Sequence, residues 1–246
     1  MSELINVTEL TTTVTAMYRK HYRDFLKVLV WLLIPVIIGS IIPYLPLDKT
    51  IIFVIQAVLT IIIALISLWL SVVLIDMTAG FLGYKTHEMK GKLKKKGIYG
   101  RIIAFVIVSF IQSIIILLGG ILFLIPGFIF AIWFSFARYA VLVDGYSPFK
   151  EAFKVSKKLT KGNFWAIFWR WVGSYVYYMI FIILGSSLIL WIIGSLLGNS
   201  GLAFDTTAEW WSDIITSIVS VGITPIFIGI GIILYESAKK NKNLKN

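Results

Sequence analysis

Six apolar runs set the terms on which this chain can fold. They lie at about 25–45, 51–78, 102–124, 127–144, 164–196 and 212–235, and about 20 apolar residues cross the hydrocarbon core of a bilayer. A chain of 246 residues that is 59% hydrophobic and 14% charged has too little interior to hide so much apolar side chain. In lipid every backbone polar group must be satisfied within the protein, so continuous apolar runs of this length read as helices. The expected fold is an all-α integral membrane protein, a bundle of about six transmembrane helices. It forms a single polytopic domain over 1–246, with a polar arm at 1–24 and a basic tail at 237–246. The first run is too long for a signal-peptide core and no small-residue cleavage site follows it, which predicts an uncleaved chain.

Between the third and fourth runs stands Ile125-Pro126-Gly127. Proline removes a backbone donor and glycine permits an unusual turn, so an apolar stretch too long for one crossing is expected to fold back there. Pro35 and Pro225 fall inside runs and are expected to bend them.

The basic residues fix an orientation. Arg19, Lys20, Arg23 and Lys27 precede or open the first run, and Lys85, Lys90, Lys92, Lys94, Lys95, Lys96 and Arg101 follow the second. Lys150, Lys154, Lys157, Lys158 and Lys161 follow the fourth, with Arg170 just beyond, and Lys239, Lys240, Lys242 and Lys245 follow the sixth. Six crossings put all four groups on one side, which the positive-inside rule makes cytoplasmic. The opposite loops carry Lys49 alone, with Asp205, Glu209 and Asp213 near the sixth run. Both termini are expected inside, in the cytoplasmic (inner) membrane of the cell. Trp165, Trp169 and Trp171 fall at the expected inner interface, and Trp210 and Trp211 at the outer one.

The stretch between the fourth and fifth runs reads as a short amphipathic helix. Ser147-Pro148 is a helix start and Gly162 a helix stop. Lys150, Lys154, Lys157, Lys158 and Lys161 recur on one face, while Phe149, Ala152, Phe153, Val155 and Leu159 fill the other. Such a helix lies in the interface and draws anionic headgroups. The lysines serve either as topology determinants alone or as a surface for anionic lipid or an acidic partner. Nucleic acid is disfavoured, because the basic and aromatic residues do not interleave as a strand-binding groove requires. A second amphipathic pattern, Val7, Leu10, Val14, Met17, Tyr18 and Phe25, precedes the first run. It fits a helix packed on the bundle or a docking arm.

Leu124-Ile125-Pro126-Gly127-Phe128-Ile129, then Val141-Leu142-Val143-Asp144-Gly145, then Lys158-Leu159-Thr160-Lys161-Gly162-Asn163-Phe164-Trp165 follow in order. This series resembles the membrane domain named for its fusion to some glycerophosphoryl diester phosphodiesterases, a domain also found in related bacterial and archaeal inner-membrane proteins. The resemblance is specific over about 120–171. It implies a six-span helical membrane domain, with Pro126, Gly127, Gly162 and Trp165 as signature positions of structural importance. It does not imply a phosphodiesterase, because a catalytic (β/α)₈ barrel alone needs roughly 250 residues.

The sequence offers little for catalysis. With no cysteine and two histidines, His21 and His87, it lacks thiolate chemistry and any His-based ligand pattern. No phosphate-binding loop, nucleophile elbow or dinucleotide fingerprint occurs. No enzyme activity, metal or cofactor is expected. Ionisable residues within spans remain the better clue, and Asp76 and Arg138 are candidates for an intramembrane ion pair. The expected function is a non-enzymatic membrane module whose basic cytoplasmic face engages anionic lipid headgroups or an acidic protein partner, in membrane or lipid homeostasis. The alternative is a small transporter or lipid-translocating permease, recognised by a continuous polar cavity lined by Asp76, Arg138 or the tyrosines Tyr175, Tyr177 and Tyr178.

Overall fold

The computed structural model describes residues 4–84, 86, 97–122, 124–146, 149–196 and 210–243. Among them every regular element is helical and no strand occurs. The helices are α1 (Val7–Ile41), α2 (Lys49–Phe81), α3 (Gly97–Leu122), α4 (Leu124–Trp133), α5 (Ala137–Leu142), α6 (Phe149–Thr160), α7 (Phe164–Leu196), α8 (Trp210–Gly222) and α9 (Thr224–Asn243). Six stretches are long and apolar enough to cross a membrane: Val7–Tyr44, Lys49–Phe81, Tyr99–Ile121, Ile125–Leu142, Phe164–Leu196 and Trp211–Lys242.

The chain divides into two compact units. The first comprises Met1–His21, Ser71–Ser174 and Pro225–Asn246, the second Tyr22–Leu70 and Tyr175–Thr224.

In the first unit, glycine decides how α3 and α4 meet. A Cβ built on Gly127 would stand 2.7 Å from the Gly120 backbone nitrogen and 2.8 Å from its Cα. Only hydrogen fits, so the two backbones touch at Gly119-Gly120 and Gly127. Pro126 lies in the first turn of α4, where its missing N–H would have had no helical partner. The fourth stretch, Ile125–Leu142, is built from two helical pieces: α4 stops at Trp133 and α5 begins at Ala137. The interruption is held by α6. The Ser156 hydroxyl donates to the Trp133 carbonyl at 2.7 Å and accepts from the Phe136 N–H at 3.1 Å. Irregular backbone at such a place persists only where another part of the protein satisfies it.

The amphipathic arm of α1 belongs to this unit. Leu10, Val14 and Met17 are buried, and Val14 and Met17 come within 3.2 Å of the position a Cβ would take on Gly229 of α9. Val7 stands equally close to Gly173 of α7. Two residues past Gly229, Gly231 faces the ring of the buried Tyr139. The Arg170 guanidinium donates to the carbonyls of Leu4 and Ile5, whose own N–H reaches the Ser237 hydroxyl at 3.0 Å. α1 leaves helical geometry at His21 (φ −117°, ψ 17°), where the imidazole stacks on Phe81 with centroids 3.8 Å apart. Pro35 lies inside α1 without such a departure.

The second unit carries the most apolar surface, with Trp31, Phe53 and Leu196 all strongly exposed. Polar ties between its helices include Ser40 Oγ to Ser217 Oγ at 3.1 Å, and Tyr44 Oη donates to Asp213 Oδ2 at 2.7 Å. α8 ends at Gly222, just ahead of Pro225, which occupies the first turn of α9.

Candidate functional site

The surface of α6 and the polar cluster in the same unit are the two places where chemistry concentrates. α6 rises from a tight turn. Gly145, at φ 68°, ends α5, and the Tyr146 N–H reaches back to the Ala140 carbonyl at 3.2 Å. That left-handed closure suits glycine and satisfies a carbonyl that the helix end would orphan. Ser147 and Pro148, read as the helix start, lie outside the described residues. At the other end Gly162, at φ 86°, closes α6 as expected of a C′ residue.

Ala152, Ser156, Leu159 and Thr160 are buried on one face of α6. Lys150, Lys154, Lys157, Lys158 and Lys161 are all exposed. Lys157 Nζ sits 4.3 Å from the Trp133 ring centroid, a cation–π contact that ties one lysine to the unit beneath it. Past Gly162, Trp165 and Trp169 are 62% and 61% exposed, one helical turn apart on α7. Phe168 lies beside both and meets Phe128 edge-on at 4.9 Å. Exposed cations therefore adjoin exposed indoles, the pairing that suits a membrane–water boundary.

The polar cluster was only partly legible. Asp76 accepts two hydrogen bonds from the Arg101 guanidinium, which also donates to the Leu142 carbonyl at 2.9 Å. The partner is thus Arg101 and not Arg138. A guanidinium fork can hold a carboxylate and a carbonyl at once. Arg138 lies one residue into α5 with its Nε buried and unpaired among the described residues.

Asp144 is buried. It accepts from Tyr235 Oη at 2.7 Å and from Lys239 Nζ at 2.8 Å, and Lys239 also reaches Glu236 at 3.2 Å. One lysine serves two carboxylates and leaves the group one negative charge in excess, while the Tyr235 phenol and the Lys239 ammonium give the buried Asp144 the hydrogen bonds that burial demands. In the sequence Asp144 stands only as a motif letter and Lys239 only as one of the basic residues of the tail, and Tyr235 carries no assigned role. Their spacing, a turn apart at the end of the last apolar run, was the available signal. Among the described residues no three His, Asp or Glu side chains gather as metal ligands would.

Each unit holds a cavity. The first unit's, about 370 Å³, is lined by Glu9, Thr13, Tyr84, Ser237 and Lys240 among others. Burial and the Glu236 charge both raise the Tyr84 phenol above its ordinary pKa. The second unit's cavity, about 470 Å³, is lined by Ser40, Gln56, Thr60 and Asp213 among others. Asp76, Arg138, Tyr175, Tyr177 and Tyr178 line neither. Tyr175 and Tyr177 point outward instead.

Fold and surface together define a class, a multi-pass all-helical membrane protein. No family model matches the chain, and no curated protein or solved structure matches it.

Proposed function

We propose that this protein is a non-enzymatic membrane module, set with both termini in the cytoplasm, whose helix α6 holds anionic lipid headgroups at the inner surface of the cell membrane. The observation that carries the reading is the division of α6: its four lysines are exposed, as is Lys161 just past its end, while Ala152, Ser156, Leu159 and Thr160 are buried. The buried face fixes the helix backbone, so the lysines are presented together before lipid arrives. Exposed Trp165 and Trp169 supply interfacial anchors beside them.

Four lysines and Glu151 leave α6 with a net charge of +3, and Lys161 follows directly after it. Each basic residue near an anionic membrane surface is worth about 1 kcal/mol. Removing four lysines should therefore cost up to about 4 kcal/mol, a several-hundred-fold change in occupancy. Native mass spectrometry of protein extracted in mild detergent tests this. Wild type is expected to retain anionic lipid, less as salt rises, and K150S/K154S/K157S/K158S to lose it. Equal retention in both, at every salt concentration, would overturn the proposal, and specific capture of an acidic protein without lipid would replace the occupant. Orientation is checked separately. A membrane-impermeant maleimide applied to intact cells should label Lys49→Cys and spare Lys158→Cys.

The alternative, a small transporter or lipid-translocating permease, draws support from the polar-lined cavity of the second unit. The residues chosen to mark a transport path do not line it, so the module reading is preferred.

A further inference from the structure

The cavity of the second unit has a chemistry that the α6 reading leaves unused. At about 470 Å³ it falls within the range of about 300–1,000 Å³ common to small-molecule sites. Its polar lining comes from α1 (Ser40), α2 (Gln56, Thr60) and α8 (Asp213, Thr216, Ser217). Its lining on α2 runs from Gln56 to Ile63, and Thr60 stands ten residues past Thr50, about 15 Å into the helix and so half of a hydrocarbon core of about 30 Å. Polar side chains at that depth are costly unless something pairs with them.

What the lining offers is acceptors. The Thr60 hydroxyl donates its proton to the Gln56 carbonyl at 2.8 Å, and Thr216 donates to the Ser212 carbonyl. Ser40 lies 3.1 Å from both the Val36 carbonyl and Ser217 Oγ. Hydroxyl protons spent on the helix backbone leave oxygen lone pairs facing inward. Asp213 takes the Tyr44 proton through Oδ2, and a carboxylate has acceptor capacity beyond that single bond. The Gln56 side-chain amide makes no hydrogen bond among the described residues. None of the lining residues is cationic. One carboxylate, several acceptor oxygens and no competing cation suit a ligand that is positively charged and rich in N–H donors.

We propose that this cavity binds the ammonium group of a small organic cation, with Asp213 compensating the charge and Gln56, Ser40 and Thr60 accepting its hydrogen bonds. The ammonium comes either from a free amine in solution or from the headgroup of an aminophospholipid. The site stands independently of lipid binding by α6, so the two proposals fail separately.

The test uses the full chain in nanodiscs, titrated with ethanolamine as the free-amine probe. In parallel, native mass spectrometry compares retention of phosphatidylethanolamine with that of phosphatidylglycerol. Asp213→Asn keeps the side-chain shape and an acceptor for Tyr44, and thermal unfolding without probe reports its fold. Saturable binding of ethanolamine, weakened about tenfold or more by Asp213→Asn, supports the site and assigns it to a free amine. Selective retention of phosphatidylethanolamine alone, lost in the same variant, supports it and assigns it to lipid. Binding of neither probe, or binding unchanged by the substitution, overturns it. If Asp213→Asn fails to fold, Gln56→Met decides, since the Gln56 amide holds nothing within the fold. It should weaken binding several-fold, and unchanged binding would again overturn the site.

Discussion

Gly119 and Gly120 are neighbours that the sequence treats alike, yet alanine should be harmful at one and harmless at the other. A Cβ on Gly119 would lie 2.9 Å from Gly127 Cα and 2.8 Å from a ring carbon of Phe130, whereas a Cβ on Gly120 would meet nothing within 4 Å. Reciprocally, a Cβ on Gly127 would stand 2.7 Å and 2.8 Å from the Gly120 nitrogen and Cα, atoms with no rotamer to escape into. Carbon atoms settle near about 3.5–4 Å, so Gly127→Ala must separate α3 from α4 by roughly 0.7 Å or more. Overpacking of that kind costs about 1–3 kcal/mol. Alanine regains about 1 kcal/mol of helix propensity over glycine at any of these positions, so that gain cancels when variants are compared. Gly127→Ala should therefore be less stable than Gly120→Ala by about 1–3 kcal/mol, with Gly119→Ala near Gly127→Ala. Reversible unfolding in mixed micelles, followed by tryptophan fluorescence and circular dichroism, measures this. Equal stability of Gly120→Ala and Gly127→Ala would refute the close approach of α3 and α4.

Ser156→Ala strips the Trp133 carbonyl and Phe136 N–H of their partner and should cost about 1–3 kcal/mol, the usual penalty for buried unpaired groups. Ser174→Ala removes a buried hydroxyl that has no partner among the described residues and should be neutral or slightly stabilising in the same unfolding assay. Tyr235→Phe leaves Asp144 with Lys239 alone and should lower stability by about 1–3 kcal/mol, and Asp144→Leu by more, because Lys239 then loses a carboxylate. Asp48 accepts the Thr50 N–H at 2.7 Å, which holds its carboxyl below the ordinary 3.8. A depressed carboxylate stabilises the fold above 3.8 and loses that contribution as pH falls through its lower folded value. Hydrogen exchange at the start of α2, corrected for intrinsic rate, should therefore accelerate below pH 3.8 in the wild type and show no such step in Asp48→Ala.

The apolar runs were legible because hydropathy needs no partner to be read. Gly162 was legible because its role is local to the backbone. Gly127 was expected to permit an unusual turn, but it lies inside α4 with no left-handed φ and serves to let the α3 backbone approach. The ion pair was not legible. Asp76 and Arg138 both lie in apolar runs, which makes them look like partners, whereas Arg101 stands at the end of a basic loop and in sequence looks like one more of its charges. The break between Trp133 and Ala137 carries no proline or glycine, only Phe134, Ser135 and Phe136. Its cause sits on another helix, in a serine that reads as an ordinary polar residue of α6. Asp144 was visible as a letter in a motif, but its partners stand 91 and 95 residues away. Spacing along one segment reveals nothing about contacts made across such distances.

The most direct test of the account places a nitroxide on α6 itself. The chain has no cysteine, so Glu151→Cys creates one labelling site on the exposed face and keeps all five lysines. Its electron paramagnetic resonance spectrum would be recorded in nanodiscs of phosphatidylcholine, with and without phosphatidylglycerol. Slower label motion with the anionic lipid, reversed by salt and absent when Lys150, Lys154, Lys157 and Lys158 become serine, is the predicted result. An identical spectrum in both lipids would mean that the lysines set topology and hold no headgroup.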